Sequence, residues 1–199
     1  MPIADRRIDR ERSALVLVDF QARLMPAIHV AEHILANACR AADVARTLGL
    51  RIIGTEQNPA GLGANVAAIR ERCGETIVKA HFDACRDGLV EALARIPTRS
   101  AATDRASTAT PGAGIRDVVL AGCEAHVCLL QTGLGLLDAG FRVFVVEDAC
   151  GSRRSADHRL AMRRLDRAGA TLASVEMVAF EWLESSDDPR FREVLQRIK

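Results

Sequence analysis

The chain has 199 residues, enough for one domain with a sizeable core, and its Lys+Arg 27 against Asp+Glu 26 leave a formal net charge of +1. That balance gives no electrostatic case for nucleic acid or an anionic membrane, and apolar residues near half (49%) describe an ordinary globular protein. No apolar run reaches membrane-spanning length, and the charged start MPIADRRIDRERS is unlike a signal peptide, so the reading is a cytoplasmic protein with no membrane partner.

Residues 13–19 (S-A-L-V-L-V-D) read as a buried strand that stops at an acid, Asp19. Residues 20–30, with Pro26, form a loop, and residues 31–48 an amphipathic helix ended by Gly49. A second strand at 50–54 runs into a loop, Thr55-Glu56-Gln57-Asn58-Pro59 through Gly63. Helix is expected over 65–73, a short strand over 75–78 ending in Lys79, and helix again over 88–96. Residues 97–114 are rich in Ser, Thr, Ala, Pro and Gly without periodicity, and are expected to be a mobile inserted loop on the face opposite any pocket.

Residues 117–131 (D-V-V-L-A-G-C-E-A-H-V-C-L-L-Q) are the stretch on which the chain turns. A short apolar run bounded by Gly122 is what a fully buried parallel strand requires. A helix is expected to begin within two or three residues, leaving Cys128 near its first turn. Free N–H groups and the helix dipole there favour a thiolate with a depressed pKa. Further strands are expected at 142–147, with 148–152 as exit loop, and at 171–175. Between them lies a helix over 155–168 whose Arg159, Arg163 and Arg167 mark a solvated face. Two short helices carrying Trp182 and Phe191 close the chain.

Strands alternating with helices define a three-layer α/β/α domain, doubly wound on a mainly parallel sheet, with the whole chain 1–199 as one domain. No phosphate-binding glycine loop follows a strand, so a nucleotide-binding module is a poor reading. The six cysteines (Cys39, Cys73, Cys85, Cys123, Cys128, Cys150) form no C-x-x-C pair and have no histidine at zinc-ligand spacing. Taken singly, Asp19 also reads as a turn or capping residue, Lys79 as an exposed lysine and Cys128 as core packing. Taken together, each follows a strand, and in an open parallel sheet the carboxyl ends of the strands face one crevice.

The segments L-V-L-V-D-F-Q (15–21), T-E-Q-N-P-A-G-L-G (55–63), V-K-A-H-F-D-A (78–84), A-G-C-E-A-H-V-C-L-L-Q-T (121–132) and F-V-V-E-D-A (144–149) resemble the isochorismatase-like cysteine hydrolases, in family order. The resemblance covers most of the chain from residue 13 to about 181. It implies a six-stranded parallel sheet in the order 3-2-1-4-5-6 and a catalytic triad falling on Asp19, Lys79 and Cys128. It implies a non-proline cis peptide joining Cys123 to Glu124, and an oxyanion hole from the N–H groups of Glu124 and Cys128. Metal-dependent relatives carry an Asp-x-His-type site beyond the second strand; this chain has Glu56-Gln57-Asn58 there and His81 elsewhere. No metal and no other cofactor is therefore expected, and the chain is similar to the T-E-Q-containing branch.

The activity implied is hydrolysis of a small amide or carbamoyl C–N bond through a thioester. Asp19 serves as proton carrier, and Lys79 keeps it ionised. Gln21, Gln57 and Phe82 are candidate pocket residues, and Asp83 stands where many relatives have serine. Vinyl ether hydrolysis of the isochorismatase type, and an inactive oligomeric scaffold, are the alternatives. Expected partners are a small-molecule substrate and further copies of the chain, as a homo-oligomer; no nucleic acid is expected.

Overall fold

Six β-branched and leucine-rich runs build the sheet that organises the protein. They are β1 (Ser13–Val18), β2 (Arg51–Gln57), β3 (Glu75–Lys79), β4 (Asp117–Cys123), β5 (Arg142–Gly151) and β6 (Thr171–Ala173). The computed structural model describes residues 6–96 and 114–199, so the loop expected at 97–114 lies, Gly114 aside, outside the described residues. All pairings are parallel, and the strand order is β3-β2-β1-β4-β5-β6. Every residue of β1 and of β4 is buried, as a strand covered on both faces must be.

The helices are α1 (Ala31–Thr47), α2 (Pro59–Leu62), α3 (Ala67–Arg70), α4 (Leu89–Ala94), α5 (Leu130–Asp138), α6 (Ser155–Ala168), α7 (Val175–Leu183) and α8 (Phe191–Ile198). Strand alternation divides the core in two. Leu15, Leu17, Val119 and Ala121 face α1, α7 and α8, where Ala38, Ala41, Ala42 and Ala45 let α1 lie close to the sheet and Trp182 fills the layer. Val16, Val18 and Leu120 face the other side, against Leu89 and Leu93 of α4, Leu136 of α5 and Met162 and Leu165 of α6. The chain leaves β1 toward β2 and β3 and later returns to its other flank as β4. The order therefore reverses between β1 and β4, where open α/β sheets leave a crevice at the strands' carboxyl ends.

Several boundaries differ from the sequence reading. Thr55-Glu56-Gln57 belong to β2 and not to a loop, because β3 pairs with them through Ile77, Val78 and Lys79. Residues 148–151, expected to be an exit loop, continue β5 past a register shift between Leu120 and Gly122 on β4. Val175 starts α7 instead of ending a strand, since the Ser174 side chain accepts the Met177 N–H and caps the helix. The helix expected over 65–73 is the single turn α3. Arg159, Arg163 and Arg167 are exposed along α6, as a solvated face requires. Among the described residues no helix is long and apolar enough to cross a membrane.

Candidate active site

Asp19 follows the last residue of β1 with φ at +53°, and its N–H donates to the Thr55 carbonyl at 3.3 Å. Its side chain is wholly buried. Thr55 Oγ1 donates to Oδ1 at 2.6 Å, while Oδ2 lies 2.8 Å from Lys79 Nζ. The approach to Oδ2 is an ion pair without good hydrogen-bond angles, so among the described residues that oxygen keeps unused accepting capacity. The same capacity is what a proton acceptor needs.

Lys79 ends β3 and is as buried as its partner. Its ammonium donates to Gln57 Oε1 at 2.7 Å and reaches the carbonyls of His81 and Phe82 at 3.4 Å. The reading of an exposed lysine is therefore excluded. Two charges withdrawn from water are tolerable only when paired and surrounded by hydrogen-bonding groups, as these are. Gln57 is locked in turn: its Nε2 donates to the Ala80 carbonyl at 2.7 Å, and its backbone N–H donates to Gln21 Oε1 at 2.8 Å.

Cys128 sits beside the pair. It does not occupy the first turn of an α-helix. Residues Ala125–Leu129 form a wider, π-type turn in which the Glu124 carbonyl accepts from Val127 and Leu129, and α5 begins only at Leu130. Nor is the thiol acidic. Burial pushes it up to about 12, the Asp19 charge adds to the rise, and Lys79 opposes it. The expectation of a depressed pKa fails because desolvation of a 7% exposed side chain outweighs the nearby ammonium. The resting group is a protonated thiol, linked by charge and hydrogen bonding to both Asp19 and Lys79. The Cys123–Glu124 peptide bond is cis.

Asp19 and Cys128 open on a cavity of about 350 Å³. Leu24, Ala27, Leu62, Phe82 and Val127 supply its apolar wall, and Gln57, Glu124 and Arg153 its polar positions. Phe82 and Gln57 thus lie where the sequence reading put them. Gln21 does not. It is fully buried behind the wall, donating from Nε2 to the Gln57 and Gly63 carbonyls, so it shapes the loop instead of meeting a ligand. Asp83 is absent from the lining too; its carboxylate accepts the Cys85 N–H and caps the turn Ala84–Asp87.

A larger cavity, about 450 Å³, lies between the start of α1, the β5–β6 edge and α7. Its one thiol, Cys150, is buried and raised well above its ordinary pKa, and no lysine or arginine is among its lining residues. Size notwithstanding, the chemistry sits in the smaller one. Among the described residues no three histidine, cysteine, aspartate or glutamate side chains are grouped to hold a metal ion. Glu56, at the position of interest for a metal, instead accepts the Asn65 N–H at 2.8 Å.

Three participants were missed from sequence: Thr55, and the pair Glu124–Arg153, whose Arg153 Nε lies 2.9 Å from Glu124 Oε1. Arg153 stands just past the carboxyl end of β5, so the rule that found Asp19 and Lys79 would have reached it had β5 been drawn to its full length.

The class is thus a doubly wound α/β protein with a thiol, a carboxylate and an ammonium gathered at its switch point. Residues 13–177 match the family model described as the isochorismatase domain, and the chain belongs to this isochorismatase-like hydrolase family. It is 34% identical over 189 residues to isochorismatase domain-containing protein 1 of Danio rerio, covering 94% of this chain but 61% of that one, so it spans about three fifths of that relative's length. Isochorismatase domain-containing protein 2A of Mus musculus is 33% identical, with 97% and 85% covered. A solved structure described as the MAR1 ribonuclease of Caenorhabditis elegans superposes with a TM-score of 0.83 at 33% identity, over 96% and 92% of the two chains. The YcaC gene product of Escherichia coli, described as an octameric hydrolase of unknown specificity, shares the fold at TM-score 0.76 and 22% identity, over 100% and 98%.

Proposed function

We propose that the protein is a cysteine hydrolase cleaving a small amide or carbamoyl C–N bond through a thioester. The observation that carries this reading is the buried Asp19 carboxylate, fixed by Lys79 and Thr55, next to a thiol that is protonated at rest. A thiol held near 12 cannot attack as a pre-formed thiolate at neutral pH, so its proton must leave as the carbon–sulfur bond forms. Asp19 Oδ2 takes that proton. The carbonyl oxygen becomes an oxyanion, which the N–H groups of Glu124 and Cys128 receive. The C–N bond then breaks, its electron pair going to the nitrogen, which picks up the proton from Asp19 and leaves as amine. Water attacks the thioester with Asp19 again as base, releasing the acid and restoring the thiol. Lys79 holds Asp19 ionised throughout by direct pairing.

A cavity of about 350 Å³ supports a small-molecule substrate. A ribonuclease reading is favoured by the description of the Caenorhabditis elegans relative. Against it stand the net charge of +1 and the pairing to Glu124 of Arg153, the one basic side chain lining the cavity. The test is a screen of small amides, ureido acids, isochorismate and RNA with the wild type and Cys128→Ala, followed by intact-mass analysis of quenched reactions. Amide or ureido turnover with an acyl adduct on Cys128, lost in Cys128→Ala, is expected. Ether cleavage that survives Cys128→Ala, or RNA cleavage alone, would replace the proposal. We further propose that the chain works as a homo-oligomer.

A further inference from the structure

We propose that Arg153 is an anion-recognising side chain and that the substrate is a small amide carrying one carboxylate. This rests on the hydrolase reading above and narrows its substrate class.

The cavity has two polar ends. At one, Asp19 and Lys79 cancel each other's charge beside Cys128. At the other, Glu124 is 9% exposed and accepts from both the Arg153 backbone N–H (3.3 Å) and Arg153 Nε (2.9 Å). That contact anchors the guanidinium through Nε alone. Among the described residues its two terminal nitrogens make no hydrogen bond, and 61% of the side chain is exposed where it borders the cavity. An arginine fixed at Nε and open at its terminal fork presents two parallel N–H donors, the geometry that a planar carboxylate matches.

The rest of the wall (Leu24, Ala27, Leu62, Phe82, Val127) offers no other cation to an anion. Charge also limits the ligand. With Asp19 and Glu124 already facing Lys79 and Arg153, the site can tolerate one added negative charge more readily than the two of a phosphate monoester. The apolar wall between the two ends suits a short hydrocarbon spacer between the carboxylate and the amide.

Iodoacetate and iodoacetamide test this without knowledge of the substrate. Both alkylate sulfur by displacing iodide from the same CH₂ group and differ only in carboxylate against carboxamide. Rates at Cys128, followed by peptide mass spectrometry at pH 9 and low ionic strength, are each divided by the rate for the unfolded chain. The wild type should prefer iodoacetate by about tenfold, and salt should erode the preference. Arg153→Gln should abolish it, Arg153→Lys should keep part of it, and Glu124→Gln should keep or raise it. The neighbouring exposed Arg154→Gln should behave as wild type.

The double variant Glu124→Gln/Arg153→Gln decides between recognition and simple neutralisation. A preference that stays lost supports the proposal; recovery of the wild-type ratio means Arg153 only offsets Glu124 and overturns it. Equal rates for the two reagents in the wild type would also overturn it while leaving the nucleophile intact. Failure of both reagents to label Cys128 in the folded protein would instead bring down the hydrolase reading, and this proposal with it.

Discussion

Asp19 acts on Cys128 in two opposing ways, and that opposition gives the site its sharpest test. Its charge raises the thiol pKa, while its free oxygen is the acceptor that relieves the thiol of its proton. In Asp19→Asn the Coulombic rise disappears and Lys79, left without its carboxylate, favours the thiolate. Simple alkylation of Cys128 at pH 8 should therefore quicken several-fold. Hydrolysis should fall by about 10²-fold or more for want of a proton carrier. The sign with pH follows from the raised thiol. In the wild type, alkylation should keep climbing past the ordinary thiol value of 9.0 toward about 12, and in Asp19→Asn the curve should move to lower pH. The same raised value means that the thiol's contribution to stability is whole below about 9 and is lost as pH rises toward 12. Iodoacetamide rates across pH 6–11 for both proteins check this; an unmoved curve would remove Asp19 from contact with the sulfur. The trio itself was legible because each member ends or follows a strand. Gln21 and Gln57 were not separable in the same way, because a glutamine amide serves a ligand and a backbone carbonyl equally well. Only the fold shows that one supports the other.

At the scale of elements, the site depends on how β4 leaves the sheet. Gly122 lies beside Val18 of β1 with φ at +148°, and a Cβ there would fall on the Val18 carbonyl oxygen and within 2.8 Å of its nitrogen. Both obstacles are backbone, which cannot swing aside. Gly122→Ala should therefore cost about 2–4 kcal/mol of stability, read as a lowered urea midpoint. It should also slow Cys128 alkylation, because β1 and β4 carry Asp19 and Cys128 on adjacent exits. A variant as stable and as reactive as the wild type would show that this close approach is dispensable. The sequence marked Gly122 as the end of a strand and a helix soon after, and both are present. The π-type turn between them left no mark, since its Ala-His-Val-Cys-Leu composition is equally compatible with an ordinary first helical turn. The thiol pKa was misjudged for that reason: a helix-dipole argument was applied to a residue that precedes the regular helix.

For the molecule as a whole, alternation of strand and helix patterns sufficed for the layered α/β class, but not for the strand order. Apolar runs look alike whichever flank of β1 they join, so the order 3-2-1-4-5-6 came from the resemblance alone and is the order found. Association between chains is a further property of the whole surface. Val30, Met177 and Phe180 are 55%, 52% and 42% exposed in the isolated chain, and the first two border the larger cavity. Val30 is also a β-branched residue held at φ +52°, a conformation with no evident benefit to a lone chain. Clustered large apolar groups left in water mark association surfaces more often than they mark a monomer's exterior. Size-exclusion chromatography with light scattering at micromolar concentration should accordingly return a mass at least twice the 21.5 kDa of one chain. Met177→Lys should lower that mass while leaving Cys128 alkylation unchanged, because Met177 lies outside the smaller cavity. A wild-type mass of one chain would refute self-association, and an unchanged mass in Met177→Lys would place the contact elsewhere on the surface.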